Sequence, residues 1–274
     1  MARVATSELG TRVLSALVLI PIALAAAYFG RWAWTIFWLI AAVGVLWEWA
    51  TLVMHARVRE LTALGAVGFA IAAMFILTGW FGAAAIVLAL TLLVVIAFAP
   101  VESRVWVAAG FIYAAVLMAA PVLLRRDPDY GVLAVVFLFA IVWMSDIAGY
   151  FAGRALGGPK LWARISPKKT VSGAIGGTLG AMVVAVAVAQ IGGLRSLLLL
   201  AGLACALSIA SQGGDLLESA IKRRFGAKDA SQLIPGHGGL MDRLDGFITA
   251  SLVATVIGVA RGGLDAPAKG LLVW

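Results

Sequence analysis

Nine stretches of this chain stay apolar for about the length of a membrane-crossing helix, and none of the segments between them is large enough to build a soluble core. They fall at roughly residues 12–29, 33–54, 61–78, 82–99, 105–124, 131–152, 171–190, 196–217 and 246–260. A helix satisfies its own backbone hydrogen bonds, so runs of this length separated by Gly, Pro and charge predict an all-α, polytopic integral membrane protein of about nine transmembrane helices. Composition agrees: 63% of the 274 residues are hydrophobic and 12% are charged, against about 45–50% and about 25% in soluble domains. Charge this sparse also excludes a disordered chain. Cys205 is the single cysteine, which excludes a disulfide framework.

The first run has two readings. Arg3 and Arg12, an apolar stretch and Ala23-Leu24-Ala25 have the layout of a secretory signal. The stretch continues past Ala25 to a full span, so an uncleaved first helix is expected. Nine helices put the two termini on opposite sides, and the Lys/Arg distribution then sets the orientation. Fifteen of the 21 basic residues fall on the N-terminal side and six on the other. By the positive-inside rule the N-terminus and the two longest polar loops are cytoplasmic. The net charge of +8 therefore reads as topology and as attraction to anionic membrane lipids. No soluble basic face exists to bind nucleic acid.

The first 140 residues carry little chemistry. Glu48 sits between Trp47 and Trp49 at the cytoplasmic end of the second run. A carboxylate there is either functional or an ordinary interfacial acid among tryptophans, as lone His55 is an interfacial residue.

Polar residues concentrate further on. Asp146 closes the sixth run, and a loop from Arg154 to Thr170 holds five basic residues and no acid. It ends in Ser166-Pro167-Lys168-Lys169-Thr170-Val171-Ser172, where Pro167 breaks any helix and Ser172 is a candidate N-cap for the next. Two lysines and hydroxyls before a helix N-terminus suit a polyphosphate, and a solvated positive-inside loop accounts for the same residues. Glycines at 149, 153 and 157, at 173 and 177, and at 176 and 180 recur every fourth residue, a spacing that lets helices approach closely.

Residues 211–247 are the densest, with five of the 13 acids: Asp215, Glu218, Asp229, Asp242 and Asp245. Asp215, Glu218, Ser219 and Lys222 share one helical face, and Asp242 and Asp245 lie one turn apart, a spacing that aims both carboxylates at one point. Hard oxygen ligands among cations suit Mg²⁺ held partly by substrate phosphates. His237 lies in a Pro-Gly-His-Gly-Gly turn whose glycines permit close backbone approach. It is read as a substrate contact in preference to a general base.

These residues resemble the phosphatidate cytidylyltransferases (CDP-diacylglycerol synthases). The signature Ser-x-aliphatic-Lys-Arg, four residues, Lys-Asp, then Pro-x-His-Gly-Gly and Asp-Arg-x-Asp runs unbroken here. It starts at Ser219, passes through Lys222-Arg223, Lys228-Asp229, Pro235 and His237-Gly238-Gly239, and ends at Asp242-Arg243-Leu244-Asp245. Ser145-Asp146 and Ser166–Thr170 also look like that family, so the match covers about 140–250.

The resemblance implies an enzyme of one membrane domain over 1–274, with N-terminal helices over about 1–140 and catalytic helices and cytoplasmic loops over about 141–250. It implies a homodimer in a bacterial inner membrane that joins CTP and phosphatidate, depends on Mg²⁺ and admits a second cation. It places Asp215, Asp242 and Asp245 at the metal, with Asp146 and Glu218 next. Lys168, Lys169, Thr170, Lys222, Arg223, Lys228 and Arg243 would neutralise the phosphates, and Ser219, Asp229 and His237 would contact substrate. The phosphate of phosphatidate is already anionic, so the chemistry needs no activated Ser or Cys. It needs charge neutralisation and positioning.

Two alternatives make other predictions. A transporter would carry Glu48, Asp146 and Asp215 near mid-span with inverted repeats between halves, whereas the acids cluster near span ends and no repeat is visible. A CTP-dependent lipid kinase of the polyprenol type uses similar groups but transfers the γ-phosphoryl.

Overall fold

Apolar length decides most of the architecture. The computed structural model of the protein describes residues 21–54, 56–233 and 238–274. Residues 21–29 are helical (α1), followed by α2 (Arg31–Val53), α3 (Val58–Thr78), α4 (Phe81–Phe98), a 3₁₀ turn at Val101–Ser103, α5 (Arg104–Arg126) and α6 (Gly131–Leu156). A hairpin of β1 (Lys160–Trp162) and β2 (Ser166–Thr170) leads to α7 (Val171–Ile191), α8 (Leu197–Arg224), α9 (Met241–Gly262) and α10 (Pro267–Leu272).

Among the described residues eight helices, α2 to α9, are long and apolar enough to cross a membrane. The protein is an all-α polytopic membrane protein. Residues 12–20 of the expected first span, 12–29, lie outside the described residues, as do His55 and His237. Helix α4 shows the membrane as solvent most plainly, since only Ala84 and Val95 along it are buried and large apolar side chains such as Ile86, Leu90, Leu93 and Phe98 are exposed.

The chain forms two compact units. The first comprises the residues up to Val122 and Arg224–Leu244. Its interior is aromatic and aliphatic, with Trp34, Trp38, Phe69, Phe111 and Leu117 fully buried. Small residues admit the large ones: a Cβ on Gly110 would lie 2.2 Å from the ring of Trp49, whose Nε1–H donates to the Trp106 carbonyl at 2.8 Å.

The second unit comprises Leu123–Arg223 and Asp245–Trp274. Here α6 and α7 meet along the expected glycine faces. A Cβ on Gly177 would fall 2.5 Å from the Ser145 carbonyl oxygen, and one on Gly173 would fall 2.9 Å from that of Gly149. Backbones this close leave no room for side chains. A buried polar cluster ties in α8: Ser145 and Ser208 hydroxyls lie 2.7 Å apart, and the Gln212 amide donates to Thr178 Oγ1 at 3.1 Å. Asp127, also buried, receives the Tyr130 amide at 3.0 Å and the Lys269 amide at 2.9 Å, which fixes the starts of α6 and α10.

Three details depart from the sequence reading. Part of the basic loop 154–170 is an antiparallel hairpin, with Lys160 opposite Thr170 and Trp162 opposite Ser166. The N-cap of α7 is Thr170, whose hydroxyl accepts from the Gly173 amide at 3.1 Å, while the Ser172 hydroxyl donates instead to the Gly157 carbonyl. Helices α8 and α9 also outrun the expected spans 196–217 and 246–260, so that Glu218 and Lys222 continue α8 and Asp242 and Asp245 open α9. Side chains three and four apart continue these helices after hydrophobicity stops.

Candidate functional site

In the second unit the glycine face of α6, the hairpin and the start of α7 border a cavity of about 560 Å³. Lys168, Lys169, Thr170 and Asp146 line it, together with Arg154, Lys160, Tyr150 and Gln212. Four cations converge on a space whose wall is glycine backbone at 149, 153, 157, 158 and 173. In the first turn of α7 the Val171 amide donates to the Pro159 carbonyl at 2.9 Å and the Gly173 amide to Thr170 Oγ1 at 3.1 Å. Such a space suits a polyanion through its charge.

Arg154, Lys160 and Tyr150 were not singled out from sequence. Arg154 Nη1 donates to the Tyr150 hydroxyl at 2.8 Å. That spacing of four along α6 is legible in the sequence once the helix is extended to Leu156.

Asp215 of α8 is joined to this cavity by an ion pair with Lys169, both side chains being about one-third exposed. The Ser219 hydroxyl donates to the other oxygen of Asp215 at 3.4 Å. Asp245, half-buried one turn into α9, lies in electrostatic range of Asp215, Asp146 and Lys169. Its Oδ1 accepts the Gly246 amide at 2.7 Å. The structure thus groups Asp146, Asp215, Asp245 and Lys169. One turn beyond Asp215, Glu218 and Lys222 form a buried pair at 2.6 Å, and Arg223 follows at the helix end.

The remaining signature residues belong to the first unit. Lys228, Asp229, Asp242 and Arg243 all lie in its Arg224–Leu244 segment. Asp242 Oδ2 accepts the Ala230 amide at 3.0 Å and the Gly239 amide at 2.8 Å, so this carboxylate folds the turn before α9. Gly238 adopts φ +86°, in the left-handed region where glycine is favoured. Against Gly239 a Cβ would stand 2.9 Å from both Asp242 Oδ2 and Glu48 Oε1. The paired glycines are therefore required by conformation at 238 and by crowding at 239. Glu48, which sequence left between two readings, is wholly buried and accepts three hydrogen bonds from this same segment. Its partners lie far off in sequence, and no local signal announces them.

Apolar helices that gather carboxylates and cations beside an anion-sized cavity are the equipment of a membrane enzyme acting on phosphates. The chain belongs to the cytidylyltransferase family, whose pattern matches residues 10–260. It is 38% identical over 286 residues to the phosphatidate cytidylyltransferase of Brucella suis biovar 1 (strain 1330), an alignment covering 95% of this chain and 97% of that protein. The phosphatidate cytidylyltransferase of Brucella abortus biovar 1 (strain 9-941) is likewise 38% identical, over 92% of this chain and 94% of its own length. That of Staphylococcus aureus (strain COL) is 40% identical over 119 residues, 43% of this chain and 46% of that protein.

Proposed function

We propose that the chain transfers CMP from CTP to phosphatidate, giving CDP-diacylglycerol and pyrophosphate. The observation that carries the reading is the second-unit cavity, where Arg154, Lys160, Lys168 and Lys169 face a space bordered by Asp146 and the Lys169–Asp215 pair. The full-length relatives, named for this activity, support it.

The reaction sets a phosphate anion against a triphosphate. Two unit charges about 4 Å apart repel by about 4 kcal/mol at an effective dielectric near 20. Lys168 and Lys169 offset that repulsion at the triphosphate. An oxygen of the lipid phosphate attacks the α-phosphorus of CTP, a new P–O bond forms, and the bond to the β-phosphate oxygen breaks to release pyrophosphate. No general base is required, because the attacking oxygen is already deprotonated. The acyl chains stay in the leaflet while the headgroup reaches the cavity.

Among the described residues no three His, Cys, Asp or Glu side chains come close enough to cage an ion unaided. Mg²⁺ does not ask for such a cage, since it takes one or two carboxylates and completes its shell with water and substrate phosphates. The donor set fits: Asp215 already attracts the ammonium of Lys169, and Asp245 and Asp146 are in electrostatic range of it. Asp215 and Asp245 would hold the ion, with Asp146 beside them, while Asp242 is engaged in folding the turn before α9 and Glu218 is buried in its pair with Lys222. When bound, the ion would neutralise the charge that builds on the phosphates. A second cation, a homodimeric state and a cytoplasmic active site in a bacterial inner membrane complete the reading. The orientation is supported by the 15-to-6 bias of basic residues.

The test is an assay in detergent with cytidine-labelled CTP and phosphatidate. Label entering the lipid phase with release of pyrophosphate is the expected result. A lipid kinase would leave the label in water-soluble CDP.

A further inference from the structure

Glu48 lies in α2, in the chemically plain half of the chain, and none of its surface is exposed. Its Oε1 accepts the Ser231 hydroxyl at 2.5 Å and the Leu240 amide at 2.8 Å, and its Oε2 accepts the Met241 amide at 2.7 Å. Three donors thus converge on an acceptor-only group, and they come from both ends of the stretch 231–241. A carboxylate this deeply buried is tolerated only when its oxygens are satisfied, and here they are. The Leu240 and Met241 amides are also those that α9 leaves without helical partners, and a negative charge is favoured at such an end. Gly239 lies between this carboxylate and that of Asp242, so the two acids hold the same turn from opposite sides.

We infer that Glu48 is a positioning residue for the start of α9. It pins Ser231 and the Leu240–Met241 amides, and thereby sets where Asp242 and Arg243 emerge. It is not one of the residues that line the cavity, all of which belong to the second unit. The effect on turnover rests on the cytidylyl-transfer reading, while the pin itself does not. Displacing a site residue by about 1 Å is enough to cost about a hundredfold in rate.

The test uses the full chain in detergent, comparing wild type with Glu48→Gln and Ser231→Ala. Glu48→Gln keeps the shape but turns a donor toward the Met241 amide. Two readouts are taken: hydrogen exchange of the amides at 239–242, and steady-state kinetics with CTP and phosphatidate. Glu48→Gln is expected to raise exchange there tenfold or more and to lower kcat at least tenfold, with the KM for CTP within twofold. Ser231→Ala, which removes one of the three bonds, should raise exchange severalfold, and it carries the test if Glu48→Gln does not fold. Unchanged exchange at 239–242 in either variant overturns the inference. So does a loss of activity that appears in KM and in melting temperature without any fall in kcat, the pattern of a merely structural role. If wild type makes no lipid-soluble cytidine product, the functional reading fails, and exchange in the variants still decides whether Glu48 pins the turn.

Discussion

Lys169, one residue before the end of β2, and Asp215, in the middle of α8, form an ion pair although 46 residues separate them in the chain. Both side chains are about one-third exposed, so the pair contributes little to stability, on the order of 1 kcal/mol or less. Its consequence lies in function: it holds a cation and an anion ready at the edge of the cavity. A double-mutant cycle on turnover measures this. Lys169→Met and Asp215→Asn should each lower kcat by about 10²-fold or more, the size of effect found when one electrostatic stabiliser is removed. The double variant should fall by much less than the product of the two, because the residues act as one unit. Fully multiplicative losses would mean that the two work independently.

Asp245→Asn is expected to leave a folded protein in the membrane and to abolish turnover that depends on CTP and Mg²⁺. Asp245 shares the electrostatic environment of Asp215 and Asp146, and loss of its charge weakens that site for a divalent ion. Chelation by EDTA should silence wild type, and added Mg²⁺ should restore it. Near-wild-type activity of the variant removes Asp245 from the metal site.

Thr170 caps α7 through the Gly173 amide. Thr170→Ala should cost about 1 kcal/mol and lower the melting temperature in detergent. Thr170→Ser keeps an oxygen in place and should recover most of the loss, whereas Thr170→Val, similar in shape, should not. If valine and serine behave alike, the hydroxyl is not the cap.

The α6–α7 contact predicts a sharp contrast between two glycines. Gly177 faces the Ser145 backbone carbonyl, where a Cβ would come within 2.5 Å, and backbone yields poorly. Gly177→Ala should therefore destabilise by about 1–3 kcal/mol or more. Gly202 on α8 has nothing within 4 Å, so Gly202→Ala should be neutral or stabilising by up to about 1 kcal/mol. Melting curves of the two variants in one detergent make the comparison.

The helical membrane fold was legible because apolar runs of span length have few other solutions, and the glycine faces of α6 and α7 were legible from their spacing. The helical face of Asp215, Glu218 and Lys222 was legible from spacing, but hydropathy alone made α8 and α9 too short, because it falls at the membrane boundary while side-chain pairs such as Glu218 and Lys222 carry the helix onward. The hairpin escaped notice because Ser166-Pro167-Lys168-Lys169-Thr170 has no alternating apolar face to mark a strand. The α7 cap went to Ser172 in the sequence reading because two hydroxyls two residues apart look alike until the backbone chooses one. The grouping of Asp146, Asp215 and Asp245 could be anticipated only by resemblance, since they come from three separate helices.

The three bonds of Glu48 reach residues 183 to 193 positions later in the chain. The unremarkable opening helices are therefore not a neutral anchor that any hydrophobic bundle could replace. A chimera that exchanged them for unrelated spans would strip a capping acid from the far end of the polypeptide. The two halves of this protein are constrained to diverge together.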